Sequence, residues 1–155
     1  MTNSNTLTAS NIRYLLTMKE LDGDGRGVRC IALATALGLS KPSVHNMMGT
    51  FSQMGLISRD SYGAAFFTDE GNELARRYGR YYAGVARLLR RSFPGMADVS
   101  EAAYSLLSEV PESCLRNWCR RIELRRQNMA IVEFKNASRA CMSGNHELKA
   151  LKGAE

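Results

Sequence analysis

The stretch from Arg29 to Phe67, RCIALATALGLSKPSVHNMMGTFSQMGLISRDSYGAAFF, decides the fold. Its first part, Arg29–Leu39, sets Cys30, Leu33, Ala34 and Leu37 at i, i+3, i+4 and i+7, one face of a short helix. Gly38 breaks that helix, because glycine enters a tight turn without steric cost. Ser40 can cap the next helix through its hydroxyl. Pro42 sits near the first turn, where a missing N–H leaves no helical acceptor unmet. This second helix is predicted to run to about Met54, with Val44, Met47, Met48, Phe51 and Met54 inward and Lys41, Ser43, His45, Asn46, Thr50 and Gln53 outward. Gly55 ends it. Leu56-Ile57-Ser58 and Ala65-Phe66-Phe67 read as strands, with turn chemistry at Asp60-Ser61-Tyr62-Gly63 between them. Two packed helices and a two-stranded hairpin make a winged helix-turn-helix.

The outward residues suit duplex DNA. Lys41 and Ser43 can meet phosphates, and His45 and Asn46 can reach base edges. Arg29, Pro42 and Thr50 stand beside them, and Arg59 and Tyr62 lie on the wing. The composition agrees: 155 residues carry a net charge of +6, and a basic balance favours a polyanion. No apolar run approaches the ~18 residues of a membrane span. Met1–Ser10 has neither the basic nor the apolar part of a secretory signal, so the expected location is cytoplasmic, with no membrane partner. Cysteines stand at 30, 114, 119 and 141 without a C-x-x-C pair, so the spacing supports no zinc site. Cys30 reads as a small buried apolar residue, and free thiols are expected.

Around this centre the chain is read as helical. A frayed tail over Thr2–Thr8 precedes a helix from about Ala9 to Asp22, which buries Tyr14, Leu15, Met18 and Leu21. The loop Asp22–Gly27 has an Asp-x-Asp-Gly look but lacks the closing Glu of a calcium loop. Thr68 caps a long helix to about Ser92, with Asp69 and Glu70 at its positive end. On it Leu74, Tyr78, Tyr81, Val85 and Leu88 alternate in steps of four and three, a seam for another helix. The opposite face carries Arg76, Arg77, Arg80, Arg87, Arg90 and Arg91. A short helix over Val99–Glu109, capped by Ser100 or Asp98, and another over Pro111–Asn128 follow. The latter sets Leu115, Trp118, Cys119 and Ile122 on one face. Met129–Phe134 extends it or forms a strand, and the last twenty residues are polar.

These residues carry a family resemblance. Val28–Val44, with Gly55-Leu-Ile-Ser58, Phe67-Thr-Asp-Glu-Gly71 and the long helix from Leu74-Ala-Arg-Arg77, resembles the diphtheria toxin repressor and manganese transport regulator family. The Tyr14–Leu21 helix resembles that family's first helix, and the match extends from about Asn11 to Glu112. The resemblance implies a metal-gated repressor that binds a palindromic operator as a dimer. It also implies metal ligands on the first, fourth and fifth helices, at positions that fall here on Arg13, Leu16, Tyr82, Leu106 and Leu107. Leucines offer no lone pair, and an arginine repels a cation. The expectation is therefore the family's fold and DNA binding without its metal switch and without a cofactor.

The chain as a whole reads as mainly α. Residues 1–75 form a winged helix-turn-helix DNA-binding domain and residues 76–155 a helical dimerisation domain. A homodimer forms through Leu74, Tyr78, Tyr81, Val85, Leu88 and Trp118, and a small-molecule effector fits the aromatic seam of Tyr78–Tyr82. The function expected is repression of transcription. The alternatives are a manganese- or iron-dependent repressor with ligands shifted to Glu101, Glu109 or Glu112, a MarR-like small-molecule-responsive regulator, and a winged-helix protein-interaction module. An enzyme would need a convergent nucleophile and base or paired carboxylates; with His45 on the outward face, His146 in the tail and no Gly-rich phosphate loop, none is expected.

Overall fold

The first helix begins two residues after a buried leucine, Leu7. In the computed structural model, which describes residues 7–125 together with Gln127, Met129 and Glu133, α1 spans Ala9–Leu21. Thr8 caps it, accepting a hydrogen bond from the Asn11 amide at 3.2 Å. Leu7 is only 3% exposed, so Leu7 and Thr8 belong to the fold and not to a frayed tail. Ile12, Tyr14, Leu15, Leu16 and Met18 are buried, whereas Leu21 at the helix end is exposed.

The deciding stretch folds as α2 (Cys30–Leu37), α3 (Lys41–Gln53), β2 (Ile57–Arg59) and β3 (Ala64–Phe67). Gly38 closes α2 in the left-handed region at φ 66°, donating to the Ala34 and Thr35 carbonyls. Two expectations change here. Arg29 is not the first residue of a helix; with Val28 it forms β1, which pairs antiparallel with β3. The wing is therefore the outer part of a three-stranded sheet of order β1-β3-β2. A two-residue strand is too short for period-two patterning to show. Met54 follows the helix and is exposed, and Cys30 is half-buried, its thiol 3.1 Å from the Met48 sulfur.

α4 spans Asp69–Ser92. Thr68 caps it and ties it to the end of α3: its hydroxyl accepts from the Gly71 amide at 3.1 Å and donates to the Gly55 carbonyl at 2.7 Å. Gly71 is required here, because a Cβ at this position would collide with the Leu56 carbonyl. α4 is thus pressed by its first turn against the chain that leaves α3. α5 spans Ser100–Glu109; it has no side-chain cap at Val99, but the Asp98 carboxylate accepts from the Ser100 amide at 2.9 Å. Hydrogen bonding to the Ser100 side chain, and then to this amide, holds the Asp98 carboxyl below its usual range.

α1 packs against α2, α4 and α5, and α4 against α5. Ile12, Leu15, Met18, Leu33, Val44, Met48, Phe51, Val85 and Leu107 are the fully buried centre. Each such side chain contributes about 1.5–3 kcal/mol through loss of apolar surface to water. The chain is thereby a mainly helical winged helix-turn-helix.

Contacts divide the chain into Met1–Leu115 and Arg116–Glu155. In the second unit residues 116–125 are helical, with Trp118, Cys119 and Ile122 half-buried. Gln127, Met129 and Glu133 are helical as well. The expected tail with Cys141 and His146 lies outside the described residues, as do residues 1–6. Among the described residues, no helix is long and apolar enough to cross a membrane.

Candidate nucleic-acid interface

α3 places its polar residues on an arc of about 200°, at 100° per residue, leaving Val44, Met48 and Phe51 to the core. Lys41, Pro42, Ser43, His45, Asn46 and Thr50 are all exposed. Ser40 begins the helix as expected, accepting from the Ser43 amide at 3.3 Å, with its hydroxyl 2.8 Å from that of Ser43. The Thr50 hydroxyl donates to the Asn46 carbonyl at 3.3 Å, which leaves its lone pairs free to accept.

The arc has two edges. Lys41 and His45 form the edge nearest the wing, where Arg59 Nη2 donates to the His45 carbonyl at 3.2 Å and ties β2 to α3. Ser43, Asn46 and Thr50 form the other edge, facing α1. There, together with Ser10, Arg13, Tyr14, Leu39 and Met47, they line an open groove of about 490 Å³. Between the edges lies Gly49, where an added Cβ would meet no atom. The centre of the exposed face is thus bare backbone. The sequence reading passed over Gly49 and the groove residues Ser10, Arg13 and Tyr14. The helical count alone would have placed Gly49 on the outward arc.

The wing tip is built by Asp60. Its carboxylate accepts from the Tyr62 amide at 3.0 Å and the Ala64 amide at 2.8 Å. Those two bonds hold Tyr62 out, 85% exposed. Arg29 is exposed at the N-cap of α2, on the strand opposite Ala64, apart from the α3 arc.

The seam of α4 fares differently. Tyr78, Tyr81 and Val85 are buried by the chain's own helices, and Leu74 is half-buried. Only Leu88, 47% exposed, stands free on it. Trp118 is half-buried in the second unit. Burial, and then the neighbouring Glu112, push the Tyr78 phenol above its ordinary value. Tyr81 Oη donates to Glu112 at 3.4 Å, and Arg77 Nε lies 3.4 Å from the same carboxylate without hydrogen-bond alignment. The buried part of the seam is therefore covered within the chain itself.

The residues at the expected metal positions are engaged otherwise. Arg13 bridges α1 and α5 through Glu101 at 3.2 Å. Tyr82 donates to the Ser100 hydroxyl at 3.0 Å and stacks on Tyr104, and Leu16 and Leu107 are buried. Leu106 is half-buried. Such a set offers a divalent ion no ligand shell. Among the described residues, no three His, Cys, Asp or Glu side chains converge.

Comparison with known proteins adds a likeness over the helix-turn-helix part. Residues 13–61 match the IclR helix-turn-helix domain. This corrects the resemblance to the diphtheria toxin repressor and manganese transport regulator family, which is a different one. The helix, Gly38 turn, capped second helix and hairpin that carried the resemblance are demanded by the winged-helix fold itself and do not separate its families. The match covers less than half of the chain and supports a DNA-binding transcriptional regulator, a class that is not typically enzymatic. No curated protein matches. Among solved structures, the chain is similar to ScaR with bound Zn2+, at 19% identity and a TM-score of 0.58, over 73% of this chain and 53% of that one. The chain thus spans about half of ScaR's length. It is also similar to the hypothetical protein SSo2273 from Sulfolobus solfataricus, at 19% identity and a TM-score of 0.53, over 75% of this chain and 89% of that one. At such identity these likenesses concern the fold alone.

Proposed function

We propose that this chain is a transcriptional repressor that reads duplex DNA as a homodimer in the cytoplasm. The observation that carries the reading is the α3 arc: Lys41, Ser43, His45, Asn46 and Thr50 are all exposed, one helix face that buries nothing polar. Asn46 can make paired bonds to an adenine edge, and Lys41 and Ser43 can hold phosphates on either side. Arg59, Tyr62 and Arg29 add contacts to the backbone beyond the arc. In this reading residues 1–75 are the DNA-binding part and residues 76–155 the dimerisation part, with α4 belonging to both. Since Tyr78, Tyr81 and Val85 are already covered, the dimer contact falls to apolar residues still exposed, Leu88, Phe93 and Met96.

The test is selection of a preferred sequence from a random duplex pool, followed by titration of Asn46→Ala. The variant is expected to lose about 1–3 kcal/mol and to relax discrimination at one base pair. Unchanged affinity for every sequence would remove α3 as the reading element.

A second reading concerns control. The groove between α1 and α3 shares Ser43, Asn46 and Thr50 with the reading arc, so a small molecule seated there would compete directly with DNA. Release of bound duplex by a metabolite library, lost in Met47→Trp, checks that reading.

A further inference from the structure

We infer that the solvent face of α4 is a second DNA-binding surface, one that grips the sugar–phosphate backbone without regard to sequence. The inference rests on the DNA-reading function proposed above. Arg76, Arg80, Arg87, Arg90 and Arg91 are exposed, and at 100° per residue they fall within an arc of about 100°. The arc lies opposite the buried Tyr78, Tyr81 and Val85. From Arg76 to Arg91 the stripe is about 22 Å long, at 1.5 Å per residue. Only the small exposed Ala83 stands within it, so nothing holds a partner away.

The charges are largely uncompensated. Arg76 is paired with Glu73 at 3.1 Å, and Arg90 stands near Asp98. Arg80, Arg87 and Arg91 form no ion pair among the described residues. Five guanidinium groups on one face of a straight helix repel one another, and an interspersed acidic residue every turn would relieve that. Beyond Glu73 α4 carries no acid, and a linear polyanion supplies the missing charge. Duplex DNA carries about one charge per 1.7 Å, dense enough to meet every arginine of the stripe.

Other occupants fit less well. A second copy of the same face would bring like charges together across a two-fold axis. A membrane-surface helix needs an apolar face free to enter lipid, and the apolar face of α4 is in the core. DNA is already held by the same chain in the proposed function, and arginine forks suit phosphate oxygens.

The test is the salt dependence of binding to a mixed-sequence duplex, measured on the full chain by fluorescence anisotropy. Each phosphate contact contributes about −0.9 to the slope of log K against log salt. The triple variant Arg80→Gln, Arg87→Gln, Arg91→Gln is expected to flatten the slope by about 2.7 and to weaken all sequences equally. Arg87→Gln alone should flatten it by about 0.9, and the triple lysine variant should keep the wild-type slope. An unchanged slope in the glutamine variants, with Asn46→Ala still losing discrimination, overturns the second surface and leaves the reading helix standing. Failure of the wild type to bind any duplex overturns both. Loss of binding to phosphatidylserine vesicles in the triple variant, with the DNA slope intact, overturns it in favour of a membrane surface.

Discussion

The reading unit and the helical layer treat their polar side chains in opposite ways. On α3, Lys41, His45 and Asn46 project into solvent with no side-chain bond among the described residues. Among α1, α4, α5 and the residues after α5, polar groups answer one another: Tyr82 with Ser100, Tyr81 and Arg77 with Glu112, Arg13 with Glu101. Tyr82 and Tyr104 stack at 5.0 Å between ring centres. A helix whose polar groups are left unused is available to a partner, and a layer whose polar groups are used holds a shape. The difference predicts that stability and DNA binding can be changed separately.

The largest effect should come from the layer. Leu107→Ala is expected to cost about 2–5 kcal/mol in denaturant unfolding, because Leu107 is 1% exposed and a cavity would remain. The fraction that stays folded should bind DNA as the wild type does. A loss of affinity parallel to the loss of stability would merge the two regions into one. Next comes Gly49→Ala on the reading helix. Alanine in a helix interior is better than glycine by about 0.5–1 kcal/mol, and the Cβ meets nothing within the chain. The variant should therefore be more stable and yet bind duplex more weakly, since a methyl group then stands at the centre of the contact face. Gains in both would show that the face is not the one that meets DNA.

The smallest effect is a pH dependence confined to the layer. Burial, with the neighbouring Tyr82, pushes the Tyr104 phenol up to about 12 from 10.0. A raised value means the folded state favours the protonated ring. That contribution is complete below pH 10 and disappears as pH rises towards 12. Thermal unfolding across this window should show a decline in Tm that is shallower in Tyr104→Phe. An equal decline in the variant would assign the alkaline loss to other groups.

Much of this was legible in the residues. Thr68 and Ser40 act as caps, Gly38 turns, and α4 ends at Ser92, because each depends on chemistry within three or four positions of chain. The failures arise where a residue's fate depends on distant neighbours. The seam of Tyr78, Tyr81 and Val85 was legible as apolar, but nothing local told whether α1 and α5 or a second copy covers it. β1 escaped because two residues carry no period, and it is the β3 edge that recruits them. Gly49 was missed through attention to side chains that donate; its interest lies in having none. Family assignment failed for a related reason: capping and turn residues report the fold that all winged helices share.

α4 is continuous for 24 residues, about 36 Å at 1.5 Å per residue. At its start Gly71 leaves no clearance from the Leu56 carbonyl, and Thr68 is bonded to the Gly55 carbonyl, so the joint to the reading unit is stiff. Mechanically this is a lever clamped at one end. A tilt of about a tenth of a radian at the clamp displaces the far end by about 3.6 Å, roughly the rise of one base pair. In the homodimer proposed above, two such levers meeting at their far ends would convert a small rotation there into a change in the distance between the two α3 helices, without any residue of α3 changing its conformation.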